Sequence, residues 1–285
     1  MKLNLFKILS LTIFVSHTLI AQTDSCNYSD SLHNSIYHEI GDQIDYGLDD
    51  ASRFFSRFSE TNSTDLIYTA GFIGGLAAAF TLDQEIRDAV SHNQNSTTKS
   101  ITDFGEKYGN VIFAGTLSLG LFTTGLLTHN REIENTGRVL FEALLIAGGT
   151  SQIIKIISGR SRPFTNEGST TFNFFEFDNP HNSFPSGHTV VAFTTSSVLA
   201  ASIKNIYASI GLYTLAGLTA YQRIYSDNHW FSDTVLAAGL GTFIGNLLVL
   251  VNDERRENTK NKNLGFKFSP IISPSGYGIN LTVNF

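Results

Sequence analysis

The sequence predicts a mainly α-helical fold, a bundle of about six core helices with an active site at one end and a short β-hairpin at the C-terminus. Three observations carry this expectation. Apolar segments of helical length recur from Leu66 onward, separated by short polar stretches. Three of those stretches, at segment ends, concentrate cations, imidazoles and a carboxylate. The last residues, 264–285, alternate in polarity, the period of a strand.

Residues 1–21 read as a signal peptide or an N-terminal anchor. Lys2 and Lys7 precede the apolar run Ile8–Ile20, and Ala21 is a small residue before a polar stretch. Leu19 occupies a position where a signal peptidase favours a smaller side chain, which keeps the anchor reading open. The single cysteine, Cys26, excludes an intramolecular disulfide and reads as an idle thiol. Residues 22–65 form a polar N-terminal region. In it Ile44, Leu48, Ala51, Phe55 and Phe58 recur at helical spacing, and the favoured reading is a helix packing this stripe on the core. The other reading lays the helix at a membrane interface, though few cations line its polar face.

Residues 66–252 form the helical domain. Its segments are Leu66–Leu82, Val111–Leu127, Arg138–Ile157, Thr189–Ile203, Ile206–Tyr221 and Thr234–Val251. Most are short against the roughly 20 apolar residues of a membrane span. Arg138 and Glu142, four apart, can pair on one helix face. The polar stretch Asp83–Asn110 separates the first two segments, with residues 93–98 as its loop. Phe172, Phe174, Phe175 and Phe177 lie in the later loop 164–184, where they either line an acyl-chain entrance or cap the core. A linker, 253–263, leads to the hairpin, 264–285, whose turn is Pro274-Ser275-Gly276.

Hydrophobic residues make up 42% of the 285-residue chain and charged residues only 15%, which points to a membrane or a large helical core. A net charge of −6 disfavours a general nucleic-acid role.

The chemistry resides in three patches. The first holds Lys155 and Arg162-Pro163. A helix continuing that far would put both cations on one face, and Pro163 would end it. The second is Pro185-Ser186-Gly187-His188, ahead of an apolar run. There Ser186 and Gly187 open a helix whose free N–H groups suit an anion. The third is Arg223, then His229, then Asp233. His229 and Asp233 are four apart at a helix entry, where a carboxylate can hold an imidazole in one tautomer. Lys155, Arg162 and Arg223 suit the non-bridging oxygens of a phosphoryl group. His229 suits nucleophilic attack on phosphorus. His188 suits protonation of the leaving oxygen and then activation of water. The cations stabilise the transferred charge, so no metal is called for.

In order and spacing these patches resemble the type 2 phosphatidic acid phosphatase superfamily, which includes lipid phosphatases, bacterial class A acid phosphatases and vanadium haloperoxidases. The resemblance covers about Leu66 to Val251. It implies His188, His229 and Asp233 as catalytic residues and Lys155, Arg162, Ser186, Gly187 and Arg223 as the phosphate-binding set. One departure is Gln222, where the family usually has serine.

The expected activity is hydrolysis of a phosphate or pyrophosphate monoester, lipid-linked, through a phosphohistidine and without cofactor. The expected partners are a phosphorylated lipid substrate and a membrane, and not nucleic acid. Vanadium-dependent halide oxidation is the alternative, since vanadate fits the same cradle; a catalytically idle membrane scaffold is a third reading. The expected place is the cell envelope, with the active site periplasmic. Six spans after a cleaved signal would instead turn the site toward the cytoplasm. Arg131, Arg138, Lys204, Arg255 and Arg256, on the side away from the site, argue against that topology.

Overall fold

The computed structural model describes residues 28–60, 62–92, 96–176, 178–263, 265–273 and 276–284. The signal or anchor segment 1–21, Cys26 and Phe177 lie outside them. The chain forms two compact units, residues 1–46 and 47–285. Eight α-helices are present among the described residues: α1 (Tyr28–Ser56), α2 (Ser63–His92), α3 (Ser96–Tyr108), α4 (Val111–Thr128), α5 (Arg131–Ser158), α6 (Gly187–Ile203), α7 (Ile206–Tyr225) and α8 (Phe231–Asn263). The mainly helical class expected from the sequence is therefore found.

Helix α6 is the centre of the second unit. It packs against α5, α7 and α8. Val139, Leu140, Ala143 and Ala147 of α5, Val190 and Val198 of α6, and Ala237, Ile244 and Leu248 of α8 form the main buried cluster. A smaller cluster joins Tyr108 of α3, Ala192 of α6 and Ala216 of α7. Asparagines cap the starts of α4, α5 and α7: Asn110 accepts from the Ile112 N–H, Asn130 from those of Glu132 and Ile133, and Asn205 from those of Tyr207 and Ala208.

Three expectations are corrected. Within the second unit, α1 does not turn its expected stripe to the core: Leu48 and Phe55 are exposed and Ala51 is half-buried, while Asp50 and Phe54 are buried; the Phe58 side chain lies outside the described residues. The first apolar segment does not end at Leu82, because α2 runs on to His92. Its added turns carry Asp83 and Arg87, whose polarity serves contacts at the site end rather than a loop. The stretch expected as loop 93–98 is partly helix: α3 begins at Ser96, and residues 93–95 lie outside the described set.

Among the described residues, four helices are long and apolar enough to cross a membrane: Ser63–His92, Val111–Thr128, Arg131–Ser158 and, within α8, Phe231–Asn258. They exceed the segments marked out by apolarity alone, since charged residues at their ends interrupt the pattern without ending the helix. Helix α2 exposes Leu66, Ile67, Tyr68 and Ile73, consistent with an apolar surrounding.

Candidate active site

The first patch is built by the end of α5. The helix stops at Ser158, with Gly159 in the left-handed region at φ 54°. A Cβ on Gly159 would lie 1.6 Å from the Asn173 carbonyl oxygen, so only glycine closes the helix here. Lys155 and Arg162 therefore do not share a helix face as the spacing suggested. Arg162 is in extended conformation, caps the short 3₁₀ turn Pro163–Thr165, and donates its backbone N–H to the Pro180 carbonyl at 2.8 Å. The two cations still meet, because residues 159–162 turn back over the helix end. Lys155 Nζ donates to the Asn182 carbonyl at 2.9 Å and Arg162 Nη2 approaches it at 3.5 Å.

The second patch starts α6. Ser186 is its N-cap and is fully buried. The first intrahelical bond runs from Val190 N–H to the Ser186 carbonyl at 3.0 Å, so the N–H groups of Gly187, His188 and Thr189 precede it and can face an anion. Ser186 N–H donates to the Asp233 carbonyl at 3.1 Å, tying the second patch to the third.

The third patch is formed by the turn between α7 and α8. The Arg223 carbonyl accepts from the N–H groups of Asn228 at 3.2 Å and His229 at 3.1 Å, which folds the turn back over the end of α7. Trp230 is buried and donates Nε1–H to the Ser161 carbonyl at 2.8 Å, locking this turn to the first patch. His229 Nδ1 lies 2.8 Å from the Ser183 carbonyl and 3.5 Å from Asp233 Oδ2. A carbonyl only accepts, so Nδ1 carries the proton and Nε2 keeps its lone pair. The tautomer expected from Asp233 alone is thus fixed by two acceptors, with the carbonyl the nearer.

Two interactions behind the imidazole were not read from the sequence. Arg160, fully buried, donates to Asp233 Oδ1 at 2.5 Å and to Asp83 Oδ2 of α2 at 2.6 Å. Its guanidinium lies 4.5 Å from the Phe80 ring centroid and 5.5 Å from that of Phe172. Asp233 also accepts from Ser183 Oγ and from the Trp230 N–H at 2.8 Å. Arg160 stands within the first patch and its charge was the available signal; Asp83 is distant in sequence and carried none. Phe172 therefore caps the core over this cluster, whereas Phe174 and Phe175 are exposed.

Lys155, Arg162 and Arg223 are left facing mostly neutral oxygens. Arg162 meets Asn228 Oδ1 at 3.3 Å and Arg223 meets Gln222 Oε1 at 3.2 Å. The carboxylate of Glu106, half exposed, is 3.9 Å from Arg223. Gln222, in the place of the family's serine, both accepts from Arg223 and donates to Glu106. Among the described residues, the Nε atoms of Arg162 and Arg223 are buried without a hydrogen-bond partner. Burial pushes both guanidinium groups below the ordinary arginine value; Asp233 opposes this at Arg162 and Glu106 at Arg223. Burial, then the charges of Arg223, Arg162 and Lys155, pushes His188 down to about 4. His229 is pushed down to about 3, by burial first, against the support of Asp233. Both imidazoles are therefore neutral near pH 7.

Such a site, two imidazoles beside three under-compensated cations at one end of a helical body, belongs to anion-binding, acid–base chemistry. Residues 137–257 match the model of the PAP2 superfamily. Similar proteins include a lipid A 1-phosphatase from Porphyromonas gingivalis, 31% identical over 105 residues, which are 35% of this chain and 20% of that protein. An undecaprenyl-diphosphatase from Sulfolobus acidocaldarius is 25% identical over 59% of this chain and 77% of its own length. The crystal structure of Aquifex aeolicus LpxE aligns over 59% of this chain and 95% of that one, with 20% identity and a TM-score of 0.44.

Proposed function

We propose that this protein is a membrane-associated phosphatase that removes a phosphoryl group from a lipid-linked phosphate or pyrophosphate through a phosphohistidine, without a metal. The observation that carries this reading is the cradle. Three cations, Lys155 and Arg223 buried and Arg162 half-buried, converge with donor atoms still unpaired, and a dianionic phosphoryl group supplies the missing charge and acceptors.

In the first step His229 Nε2 bonds to phosphorus as the P–O bond to the leaving group breaks. His188 gives its proton to the departing oxygen. In the second step water attacks phosphorus, His188 takes a proton from it, and the N–P bond breaks to release phosphate and neutral His229. A neutral His188 cannot serve as the acid of the first step. The charge of the bound phosphoryl group offsets the three cations, raises His188 from about 4 and lets it arrive protonated. Lys155, Arg162, Arg223, the Gly187 N–H that opens α6 and the Ser186 hydroxyl, which accepts from Thr189 and keeps its own proton to donate, hold the non-bridging oxygens. Asp233 supports the positive charge that His229 acquires.

The lipid-linked substrate class is supported by the two similar phosphatases, whose names specify lipid A and undecaprenyl diphosphate. Four helices suited to a membrane and the exposed Phe174 and Phe175 support it too. A periplasmic site is supported by the signal-like N-terminus and by exposed Arg131 and Lys204. Arg138 and Arg255 no longer count toward that charge argument, because both are buried against Asp50. A C-terminal hairpin remains part of this reading on the alternating polarity of residues 264–285 alone.

The test is phosphate release across a panel of lipid and soluble phosphates, with radiolabel trapped by rapid quench. Label on His229 and preference for lipid esters are expected. Label on His188, or halide oxidation with vanadate and no phosphate release, would replace this reading.

A further inference from the structure

Helix α2 lies outside the residues matched by the family model, 137–257, yet it sends one charge into the site. Asp83 is 1% exposed and has every visible partner among the groups that frame His229. Its Oδ1 accepts the Ser232 N–H at 2.7 Å. Its Oδ2 accepts from Ser232 Oγ at 2.7 Å and from Arg160 Nη2 at 2.6 Å. Arg160 in turn donates Nη1 to Asp233 at 2.5 Å and to Ser232 Oγ at 2.7 Å. Ser183 closes the circuit: its hydroxyl donates to Asp233 while its carbonyl holds His229 Nδ1.

Resting on the phosphohistidine reading above, we propose that Asp83 is a positioning residue for the nucleophile: through Arg160 and Ser232 it sets the place and the net charge of Asp233. Two physical arguments converge. The first is charge. Arg160 alone would neutralise Asp233 and leave nothing behind the imidazole. With Asp83 the buried group carries one guanidinium and two carboxylates, a net charge of −1. That is the charge a phosphorylated imidazole needs, since Nε2 gains phosphorus while Nδ1 keeps its proton and the ring becomes cationic. The second is geometry. Asp83 holds both the N–H and the hydroxyl of Ser232, the neighbour of Asp233 in the first turn of α8. A carboxylate is favoured at such a helix start, and it fixes where the turn carrying Asp233 begins.

Neither argument touches substrate binding. The effect is expected on the rate of phosphoryl transfer to His229 and not on KM. A merely structural role would act differently: it would lower the fraction of active molecules and leave each at its normal rate. Single-turnover rapid quench separates the two. The probe is radiolabelled phosphatidate in detergent micelles, or the panel ester that the wild type turns over fastest. In Asp83→Asn the rate constant for labelling His229 is expected to fall at least about tenfold, with full labelling amplitude and KM within about twofold.

Removing one partner of a buried ion pair can also prevent folding. Ser232→Ala, which keeps every charge and removes only the shared hydroxyl, is the second variant and is expected to slow labelling by about threefold or more. If Asp83→Asn is folded and labels at the wild-type rate, the proposal is overturned. If it does not fold, a wild-type labelling rate in Ser232→Ala overturns it instead. Reduced amplitude at an unchanged rate constant assigns Asp83 to stability alone. Should the wild type release phosphate with no label on any histidine, the phosphohistidine reading fails, and the proposal with it.

Discussion

Helices α5 and α8 each pass through two buried charge clusters, one near either end. Toward the start of α5 and the far end of α8, Arg138 meets Asp50 at 2.8 Å and Glu142 at 2.5 Å, and Arg255 meets Asp50 at 2.8 Å. Asn252 accepts from both arginines, at 2.6 and 2.8 Å. Two cations face two carboxylates and the cluster is balanced. At the other end, about 25 Å along α5 at 1.5 Å per residue, Lys155, Arg162 and Arg223 face carbonyl and amide oxygens. Of the carboxylates near them, Glu106 stands at the rim and Asp233 is already paired with Arg160. The balanced cluster has no need of a ligand. The unbalanced one accumulates like charge in a low dielectric, which folding alone does not favour. Burial by itself does not mark a functional site; buried charge without its counter-charge does.

Substitution can break this comparison, and the largest effect is expected at the nucleophile. His229→Ala should lose the labelled intermediate and turnover together, by at least about 10³-fold, because the covalent route is gone. Rapid quench measures the first and phosphate release the second. Persistent labelling in this variant would show that another residue attacks.

Next in size is a matched pair of arginine replacements. Arg162→Lys keeps the charge and loses the planar fork, so kcat/KM should drop by about 10- to 100-fold while the melting temperature holds or rises. Arg138→Met, in the balanced cluster, should do the reverse. It strands Glu142, leaves Asp50 with Arg255 alone and costs about 3–5 kcal/mol of stability, with kcat per folded molecule unchanged. Chemical denaturation and active-site titration read the two quantities separately. Equal behaviour of the two variants would remove the distinction drawn here.

The sequence already displayed the unbalanced cluster, because its residues lie within short polar patches that interrupt apolar runs. Lys155, Arg162, Ser186, Gly187, His188, Arg223, His229 and Asp233 were legible for that reason, and all come together at one end of the body. What stayed hidden was the support. Asp83 joins Arg160 across 77 residues, and Asp50 joins Arg255 across 205. No local pattern encodes such a pairing. The same limit explains the misread face of α1: its apolar stripe looked like a core face, but the buried positions include Asp50, whose partners Arg138 and Arg255 are distant in sequence. Helix α3 was missed because it is short and largely polar; its few apolar residues, Ile101, Phe104 and Tyr108, do recur at helical spacing and were the available signal.

Proton linkage sharpens the comparison further, with an effect of about tenfold per pH unit at most. His188 is held at about 4 in the empty cradle by burial and by Arg223, Arg162 and Lys155. A bound dianion opposes those charges and raises it. Binding then takes up a proton, so affinity must strengthen as pH falls from the raised value toward about 4, by reciprocity. Sulfate suits the measurement, since it stays dianionic throughout. Its inhibition constant should decrease from about pH 7 to about pH 5, and His188→Ala should flatten that slope. A slope surviving in the variant would assign the proton to another group, with His229 the first to test.

The smallest effect concerns where the anion sits. A Cβ built on Gly187 would meet only Lys155 Cε, at 3.9 Å, an ordinary van der Waals contact. The empty protein therefore has room for alanine, and a helix favours alanine over glycine by up to about 1 kcal/mol. Stability alone gives no reason for glycine at this position. A ligand does: a phosphoryl oxygen seated on the N–H groups that open α6 must approach the backbone where that methyl group would lie. Gly187→Ala should leave the melting temperature unchanged or slightly higher and raise KM and the vanadate inhibition constant together, by a few-fold, through a displacement of the anion. If both constants stay at their wild-type values, the anion does not rest on the start of α6, and the three cations alone must hold it.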